Sequence, residues 1–518
     1  MTSSVHGETL GFSSILARAA QSVPTRDAVV QAGIKRSYAS VFDRACRVAQ
    51  SLHLLGVGKG DRVALWTNNC PEFVEVFFGV PMLGAIVSPV DCWWHWNDAL
   101  VALETLRPKA LFLGAEQAQL IAPHLEELEN LGIRQIISFD LPIPKVTTSL
   151  YDDFIEHSKE LTFQPNIEAD DPAVILFTSG STGKSKGTVH THSSLTATAK
   201  TMCIELGLVD GEKTLHFLPM FSSCLEHLIP LTLMRATHVI HPRFDVNRIW
   251  HDLEHEQITH FDAVPTTLKR LMTAAPETAP SALRVISYAS ERMPEQLIKA
   301  LIEKLPNVEL VQFYGMIEHL CLTVLSASDH TRKPGTVGRP MLGARLKLDE
   351  SQSTEPGVGE IIALSPSMFS HYWEDQAATN SVVSDGWMKT GDLGCFDDDG
   401  YLELKGRVKE LIKSGGITII PGEIEAALQT CPDVHDAIVV GLPDTDWGEA
   451  VHAFVVLETG TQIDEQGLSE FCKGHLTGYK RPKQIHIVAE LPKTGIGKVS
   501  RSIVRQQFID ANQESGAL

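Results

Sequence analysis

The chain has 518 residues, of which 43% are hydrophobic and 21% are charged, as in ordinary folded globular proteins. This length is too great for one hydrophobic core and predicts about three to four domain-sized units. The formal net charge of -20 argues against a nucleic-acid backbone or an anionic membrane as the main partner, although a locally basic nucleotide site remains compatible with it.

The N-terminal region carries no sequence signal for export or membrane insertion. Its start, MTSSVHGETLGFSSILARAAQ, lacks the basic segment and apolar core of a signal peptide. The most membrane-like run, FVEVFFGVPMLGAIVSPV (73–90), contains Glu75, Pro81 and two glycines, and therefore predicts a helix, a turn and a strand. The nine cysteines are dispersed without a C-x-x-C pair, which is typical of reduced thiols. We therefore expect a cytoplasmic protein without a transmembrane segment.

Strand-like apolar runs alternate with helix-length amphipathic segments from about residue 27 to residue 330. This alternation predicts parallel sheets that are covered by helices. The clearest strand-like runs are RVALWT (62–67), AIVSPVD (85–91), ALFLG (110–114), QIISFD (135–140), THVIHPRFD (237–245) and LRVISYAS (283–290).

The pattern changes twice in the last third of the chain. Residues 331–405 contain short strands with glycine turns, such as GVGEIIALS and GYLELKGR, which predict a small β-rich subdomain. Further on, two helical segments and two strand-like segments predict a compact α+β unit. We therefore predict an α/β fold in which a large N-terminal domain (1–408) has two layered α/β subdomains and the β-rich subdomain, followed by a small α+β C-terminal domain (409–518).

The segment TSGSTGKSKG (178–187) has the composition of a phosphate-binding loop. It is not a Walker A loop, because only two residues separate Gly180 from Gly183, where that pattern needs four. Glycines still permit close approach to an anion, backbone N–H groups can surround it, and Lys184 and Lys186 add positive charge. The residues alone leave a solvated turn open, but the strand-like AVILF (173–177) favours a ligand site at a strand end.

Four further segments stand at wide spacing after this loop, and their order carries more information than any one of them. They are FYGMIEH (313–319), TGDLG (390–394), GRVKELIKSGG (406–416) and PKTGIGKVSR (492–501). Together the five segments resemble the adenylate-forming superfamily, which includes acyl-CoA synthetases, adenylation domains of peptide synthetases, and luciferases. The resemblance covers nearly the whole chain. It implies that a carboxylate attacks the α-phosphate of ATP to give an acyl-adenylate and pyrophosphate, with donors and cations around the phosphates.

The resemblance also implies a set of ATP-binding residues. Asp392 would hold the ribose hydroxyls with its two acceptor oxygens, and Arg407 would contact the ribose or a phosphate. Lys498 would bridge the carboxylate and the α-phosphate during adenylation. Tyr314 would pack on the adenine, and Glu318 would bind Mg²⁺, which needs few carboxylates. The residues that would contact the phosphates are Thr178, Ser181, Thr182 and Lys186. Lys498, Glu318 and Lys186 are the implied catalytic residues.

In the superfamily the C-terminal domain is mobile and turns for the second half-reaction. Lys409 matches the hinge position, and turning would replace Lys498 with the 413–416 loop. An aromatic surface with two cations suits the adenine and 3′-phosphate of CoA. The residues that match CoA-binding positions in some acyl-CoA ligases are Trp447, Tyr479, Arg481 and Lys483.

The sequence departs from the family pattern at the acyl end of the site. Ile317 replaces a threonine that donates to the α-phosphate, and Ser222 and Ser223 follow LPMF where a histidine is frequent. The usually glycine-rich adenine-side phrase is YASERMP (288–294). The acyl pocket is expected near Phe221, Ser222, Tyr288 and Met316, but its size cannot be read from their spacing.

These features predict an ATP- and Mg²⁺-dependent ligase that joins a carboxylic acid, a small molecule of unspecified size, to CoA. The departures leave two alternatives open: an amide synthetase in which an amine attacks the adenylate, and a free-standing adenylation protein that loads a carrier protein. A catalytically inactive nucleotide-binding protein is disfavoured by Lys186, Glu318, Asp392 and Lys498.

Overall fold

The computed structural model describes residues 11–133, 135–140, 149–156, 165–178, 185–352, 355–492 and 500–514, with side chains described up to residue 510. The chain packs into two compact units, residues 1–345 with 364–386 and residues 346–363 with 387–518. The second unit thus combines the predicted α+β region with part of the predicted β-rich region. A domain boundary near Lys409 stays a prediction.

The first unit contains a nine-stranded sheet with a parallel centre and antiparallel edges. Its strands, in order across the sheet, are Arg339–Pro340, Thr323–Leu325, Glu309–Tyr314, Val285–Tyr288, His260–Ala263, Lys213–His216, Thr237–Ile240, Asp27–Gln31 and Ile34–Ser37. Because parallel strands end at one edge of a sheet, the segments that follow the central strands lie together.

The first unit also contains an eight-stranded sheet, which is again mainly parallel. Its antiparallel edge is formed by the two strands that come last in the chain, Gly187–Thr191 and His371–Tyr372. In order across the sheet, starting from that edge, the strands are His371–Tyr372, Gly187–Thr191, Pro172–Phe177, Ile86–Pro89, Arg62–Trp66, Ala110–Leu113, Gln135–Ser138 and Ser149–Leu150. The predicted arrangement of two α/β subdomains is therefore confirmed.

Helices connect these strands and cover the sheets. Those of the first unit are Ser14–Ser22, Tyr38–Leu54, Pro71–Gly79, Trp96–Leu106, Ala115–Ile121, Leu125–Asn130, Tyr151–Glu156, His192–Glu205, Met220–Ser223, Ile229–Leu233, Val246–His255, Pro265–Met272, Glu295–Lys304, Asp329–Arg332 and Gln376–Val382. A π-helical turn, Cys224–Leu228, interrupts the helical run from Met220 to Leu233, and a short strand, Val383–Ser384, follows the last helix. Two 3₁₀ turns, Val80–Leu83 and Ala122–His124, complete the set.

The helix Tyr38–Leu54 is capped by a serine and packs through apolar residues at helical spacing. Ser37 caps it by accepting a hydrogen bond from the amide of Ser40 at 3.3 Å. Residues at helical spacing are fully buried, namely Val41, Ala45, Val48 and Leu52. The neighbouring helix Pro71–Gly79 approaches so closely that a Cβ on Gly79 would lie 2.6 Å from the carbonyl oxygen of Ala45. Glycine is therefore required at this contact.

The membrane-like run of the sequence forms a helix, a 3₁₀ turn and a buried strand, as predicted. Its glutamate, Glu75, is enclosed but paired: Arg36 and Arg44 contact its carboxylate at 2.6 and 2.9 Å. The hydroxyl of Tyr151 donates to the same group at 2.7 Å. Two cations and a donor thus hold this charge inside the core. Within the described ranges, no helix has both the length and the apolar character needed to cross a membrane.

The second unit is built on two smaller, mainly antiparallel sheets. The strands Arg345–Asp349, Gly359–Leu364, Trp387–Phe396 and Leu402–Arg407 belong to one of them. The other contains Ile417–Ile419, Ile412–Ser414, Gly448–Leu457 and Val434–Asp444, with Gln484–Ile487 parallel to Gly448–Leu457. The helices are Pro421–Leu428, Glu465–His475 and Arg501–Glu514, with 3₁₀ turns at Glu350–Gln352, Val408–Glu410 and Gly478–Lys480. The small β-rich region and the α+β region are both present.

Candidate active site

The base of the predicted phosphate loop joins two buried antiparallel strands, Pro172–Phe177 and Gly187–Thr191. The amide of Thr178 donates to the carbonyl oxygen of Lys186 at 2.9 Å, and the amide of Lys186 donates to the Thr178 hydroxyl at 3.4 Å. The sheet therefore fixes the two ends of the loop side by side. Ser181 and Thr182 lie outside the described residues, so their predicted roles stay predictions.

The side chains of Lys186 and Glu318 both contact Tyr372. The Lys186 ammonium is 4.8 Å from the centre of the Tyr372 ring, an attractive cation–π distance. The hydroxyl of Tyr372 donates to Oε1 of Glu318 at 2.7 Å. Burial, reinforced by the charge of Glu318, raises the pKa of Tyr372, so its hydroxyl stays a donor. The structure thus brings together two residues singled out in the sequence and adds a third that was not.

A tight turn after the strand Glu309–Tyr314 positions Glu318. The amide of Leu320 donates to the carbonyl oxygen of Met316 at 2.6 Å. A Cβ on Gly315 would lie 1.9 Å from the carbonyl oxygen of Leu320, so the turn closes only around glycine. Tyr314, at the strand end, is mostly buried. In the segment FYGMIEH the glycine is therefore needed for the turn, and the glutamate keeps its expected role as a metal ligand.

Ile317, which stands where the family often has threonine, is anchored through its backbone. Nε2 of the buried His190 donates to its carbonyl oxygen at 2.8 Å. Burial lowers the pKa of His190 to about 4, so the imidazole is neutral at physiological pH. The Ile317 side chain packs against the core of the first unit. It supplies apolar surface where a hydroxyl would supply a donor.

A cavity of about 40 Å³ lies next to this turn. It is lined by Pro89, Asp91, Trp94, Leu176, Phe177, Phe221, Ser222 and Ile317. Phe221 and Ser222, both expected at the acyl pocket, thus face the same space as Ile317. Asp91 and Trp94 were not anticipated, although Asp91 follows directly after the strand Ile86–Pro89 and Val90, where ligand sites are expected. Burial raises the pKa of Asp91 to about 6.

The other two residues expected at the acyl pocket do not line this cavity. Tyr288 is buried, and its hydroxyl is within hydrogen-bond distance of His330 and Gln312, at 2.9 and 3.1 Å. Met316 is half-buried in the turn that carries Glu318. The structure therefore separates Phe221 and Ser222, which face the cavity, from Tyr288 and Met316. A role for the latter pair at the acyl pocket stays a prediction.

Within the second unit, Asp392 and Arg407 are direct neighbours on adjacent antiparallel strands. Nε of Arg407 is 3.1 Å from Oδ1 of Asp392. Asp392 is mostly buried, while Arg407 is exposed. The amide of Asp392 donates to the hydroxyl of Thr390 at 3.1 Å, which fixes the strand at this point. The two residues predicted to contact the ribose thus form one ion pair.

Of the predicted CoA residues, Trp447 and Tyr479 are solvent-exposed, by 45% and 43%. The ammonium of Lys483 is 4.2 Å from the Trp447 ring. Arg481 instead donates to backbone carbonyl groups of Leu476 and Lys473, at 3.0 and 3.2 Å. Trp447 and Lys483 therefore form a pair on the surface, whereas Arg481 is engaged in holding its own segment.

Two further predicted residues concern the movement of the C-terminal region. Lys409 lies in the 3₁₀ turn Val408–Glu410. Lys498 lies outside the described residues. No group of three or more His, Cys, Asp or Glu residues that could hold a metal ion occurs in the part of the chain that the structure describes. A single carboxylate, Glu318, is sufficient for Mg²⁺, which takes most of its ligands from phosphate and water.

Comparison with known proteins agrees with the geometry. Residues 16–373 match the AMP-binding enzyme family, and residues 423–498 match the AMP-binding enzyme C-terminal domain. The chain therefore belongs to the AMP-binding enzymes, which confirms the resemblance given by the five sequence segments. A curated relative, the long-chain-fatty-acid–CoA ligase FadD13 of Mycobacterium tuberculosis, is 32% identical over 92% of this chain and 93% of its own length. The indoleacetate–CoA ligase of Aromatoleum aromaticum is 33% identical over 91% and 92%.

Solved structures share the fold over nearly the full length. ATP-bound MatB from Rhodopseudomonas palustris superposes with a TM-score of 0.86 at 27% identity, covering 96% of this chain and 99% of that one. The o-succinylbenzoate CoA synthetase MenE from Bacillus subtilis, in complex with the acyl-adenylate intermediate OSB-AMP, gives 0.81 at 27% identity, covering 95% and 97%. The named relatives act on different acids, so likeness alone does not identify the acid used here.

Proposed function

We propose that the protein activates a carboxylic acid with ATP and transfers the acyl group to CoA. The carboxylate attacks the α-phosphate, an acyl-adenylate forms, pyrophosphate leaves, and the CoA thiol then displaces AMP. The observation that carries this proposal is the convergence of Lys186 and Glu318 through Tyr372 at the base of the 178–186 loop. A cation for the phosphates and a carboxylate for the metal, both contacting one tyrosine, are what a nucleoside triphosphate and its metal ion require.

Lys186 and Thr178 bind the departing phosphates in this proposal. Their hydrogen bonds hold the loop ends together, so the ammonium of Lys186 projects from the start of the paired strand Gly187–Thr191. Negative charge that develops on the leaving pyrophosphate is stabilised by this cation and by loop N–H groups. The predicted contacts of Ser181 and Thr182 belong to the same loop.

Glu318 is the residue that would hold Mg²⁺. Tyr372 orients its carboxylate through Oε1, and Oε2 has no hydrogen-bond donor within the described residues. One oriented oxygen on a partly exposed carboxylate fits a cation that keeps several waters and takes phosphate oxygens as ligands. When bound, Mg²⁺ neutralises phosphate charge. Glu318, oriented by Tyr372, would determine the position of the metal ion's charge.

We also propose roles in adenylation for Asp392, Arg407, Tyr314 and Lys498, as the family motifs imply. The oxygens of Asp392 accept from the ribose hydroxyls, while Arg407 contacts the ribose or a phosphate. The Tyr314 ring packs on adenine. Lys498 reaches the carboxylate and α-phosphate and is removed when the C-terminal domain turns about Lys409.

CoA is the acceptor that the relatives and the surface chemistry favour. Curated relatives over more than nine-tenths of this chain are named as CoA ligases. An exposed indole with a lysine 4.2 Å from its ring suits an adenine and a phosphate. Tyr479 and Arg481 are the other proposed contacts. Nine free cysteines support a reducing, cytoplasmic location.

The amide-forming alternative rests on two departures from the family pattern, Ile317 in place of threonine and Ser222 and Ser223 in place of a frequent histidine, because both change the acyl and α-phosphate end of the site. A carrier protein is the third acceptor to consider. The acceptor can be decided by mass spectrometry after a panel of carboxylic acids has been screened for acid-dependent pyrophosphate release. We expect a thioester with CoA, and turnover limited to about one equivalent of adenylate without it. Efficient amide formation from an amine in the absence of CoA would contradict the proposal.

A further inference from the structure

The cavity adjoins two segments that carry nucleotide-binding residues in the proposed function. One of its lining residues, Phe177, directly precedes Thr178 of the phosphate loop, and another, Ile317, directly precedes Glu318. The carboxylate that attacks the α-phosphate must lie close to both segments. The remainder of the acid can therefore enter this cavity, whose volume of about 40 Å³ gives room for roughly three water-sized groups.

One charged residue, Asp91, lines the cavity within the described part of the chain. The other lining residues are apolar except for Ser222. The Ser222 hydroxyl donates to the carbonyl oxygen of Pro219 at 3.0 Å, so its proton is engaged and its oxygen remains as an acceptor. An ionised carboxylate is also an acceptor only. The polar groups of the lining therefore match a ligand that offers a hydrogen-bond donor.

Two hydrogen bonds fix the position of Asp91. Its backbone carbonyl oxygen accepts from the indole of Trp66 at 2.9 Å, and its Oδ1 accepts from the amide of Trp93 at 2.8 Å. Among the described residues, its Oδ2 has no hydrogen-bond donor and its carboxylate has no ion-pair partner. Charged groups in apolar surroundings are stabilised by pairing, so this carboxylate favours a ligand that supplies the missing partner.

We propose that Asp91 selects acids that present a hydrogen-bond donor to the cavity and rejects acids that present a second carboxylate. This inference rests on the proposed function and specifies its substrate class. A second carboxylate would place like charges together in a mostly apolar space, with no cation among the described lining residues to offset them. An amide, hydroxyl or amino group would instead donate to Asp91.

The test compares three acids of nearly the same shape. They are a short dicarboxylic acid, such as succinate or glutarate, its monoamide, and the methyl ketone in which CH₃ replaces the amide NH₂. Each is assayed for pyrophosphate release, and its non-hydrolysable sulfamoyl-adenosine analogue is measured for binding. Burial raises the pKa of Asp91 to about 6, so a mildly alkaline buffer keeps its carboxylate ionised.

The expected order of kcat/KM and of affinity is monoamide, methyl ketone, dicarboxylic acid. The methyl ketone has the shape of the monoamide without its donor, and it should be used about tenfold less well. The dicarboxylic acid adds a like charge, and it should be used about 10²-fold less well than the monoamide or worse.

The variant Asp91→Asn keeps the shape of the side chain and an oxygen for the Trp93 amide but removes the charge. It should raise kcat/KM for the dicarboxylic acid about tenfold or more and leave that for the methyl ketone nearly unchanged. Activity with the methyl ketone shows that the variant folds. Asp98→Asn is the matched control, because Asp98 is an exposed carboxylate of the next helix, Trp96–Leu106, and does not line the cavity. It should leave the ratios unchanged.

The outcomes separate the two proposals. A dicarboxylic acid used as well as its monoamide, or a ratio that Asp91→Asn leaves unchanged, overturns the inference alone. Pyrophosphate release with other acids but with none of these three also overturns it. Equal use of the monoamide and the methyl ketone contradicts the preference for a donor. If no acid releases pyrophosphate and no adenylate analogue binds, the proposed function fails and the inference fails with it.

Discussion

At the scale of single residues, Tyr372 links two groups that the sequence marks independently. Lys186 and Glu318 belong to recognisable motifs, so their involvement could be predicted. Tyr372 could not, because it lies in the two-residue strand His371–Tyr372, which is too short for any periodicity. It reaches Glu318 because that strand pairs with Gly187–Thr191 at the sheet edge. Long-range pairing of this kind is invisible in local sequence.

Replacement of Tyr372 by phenylalanine tests this link. The variant keeps the ring beside Lys186 but loses the donor to Oε1 of Glu318, so the carboxylate is less well oriented for Mg²⁺. We expect the Mg²⁺ concentration for half-maximal pyrophosphate release to rise about tenfold, as when other supporting donors of metal ligands are removed.

The matched control for Tyr372→Phe is Tyr38→Phe. Tyr38 is also buried, and its hydroxyl donates to the backbone carbonyl of Ala236 at 2.6 Å. That variant loses one hydrogen bond elsewhere in the first unit and should leave the Mg²⁺ dependence unchanged. An identical Mg²⁺ response for Tyr372→Phe and the wild type would show that the hydroxyl does not orient Glu318.

At the scale of elements, the turn after the strand Glu309–Tyr314 shows how one glycine supports a whole segment. The strands and helices themselves follow from apolar runs, and the helix, turn and strand of residues 73–90 follow from the interruptions in that run. The π-helical turn Cys224–Leu228 does not follow from periodicity, because one extra residue per turn is set by tertiary packing.

The variant Gly315→Ala tests the turn. Its Cβ would lie 1.9 Å from the carbonyl oxygen of Leu320, so the segment carrying Glu318 must shift. We expect the free energy of unfolding to fall by about 1–3 kcal/mol and pyrophosphate release to fall about 10²-fold from misplacement of Glu318. Urea denaturation and a pyrophosphate assay measure the two effects.

The control for Gly315→Ala is Gly58→Ala, where a Cβ would meet nothing within 4 Å. It should change neither quantity appreciably. If Gly315→Ala behaved like Gly58→Ala in both assays, the tight closure of the turn would be unimportant for the position of Glu318.

At the scale of the whole molecule, the chain does not divide at a single point. Residues 364–386 pack with the first unit, although the segments on both sides of them pack with the second. The composition changes predicted a β-rich region and a C-terminal α+β region, but not which region packs with which. That depends on contacts between distant segments. The boundary near Lys409 and the turning of the C-terminal domain remain proposals.

The variant Lys498→Ala tests the division of labour between the two half-reactions. It removes a cation that is proposed to act in adenylation but not in thioester formation. Acid-dependent pyrophosphate release should therefore fall by about 10²-fold or more. Attack of CoA on a supplied acyl-adenylate should be largely retained. Single-turnover measurements of each half-reaction give the comparison, and equal loss in both would contradict the proposed removal of Lys498 before thioester formation.

The late edge strand His371–Tyr372 also matters during translation. Its partner, Gly187–Thr191, is synthesised about 180 residues earlier, which corresponds to roughly 10–40 s at ordinary elongation rates. During that interval the eight-stranded sheet has an unpaired edge beside the nascent nucleotide site, and unpaired edges invite association with other chains. Conditions that slow the ribosome between these segments should therefore lower the soluble yield of the protein without altering the stability of the finished fold.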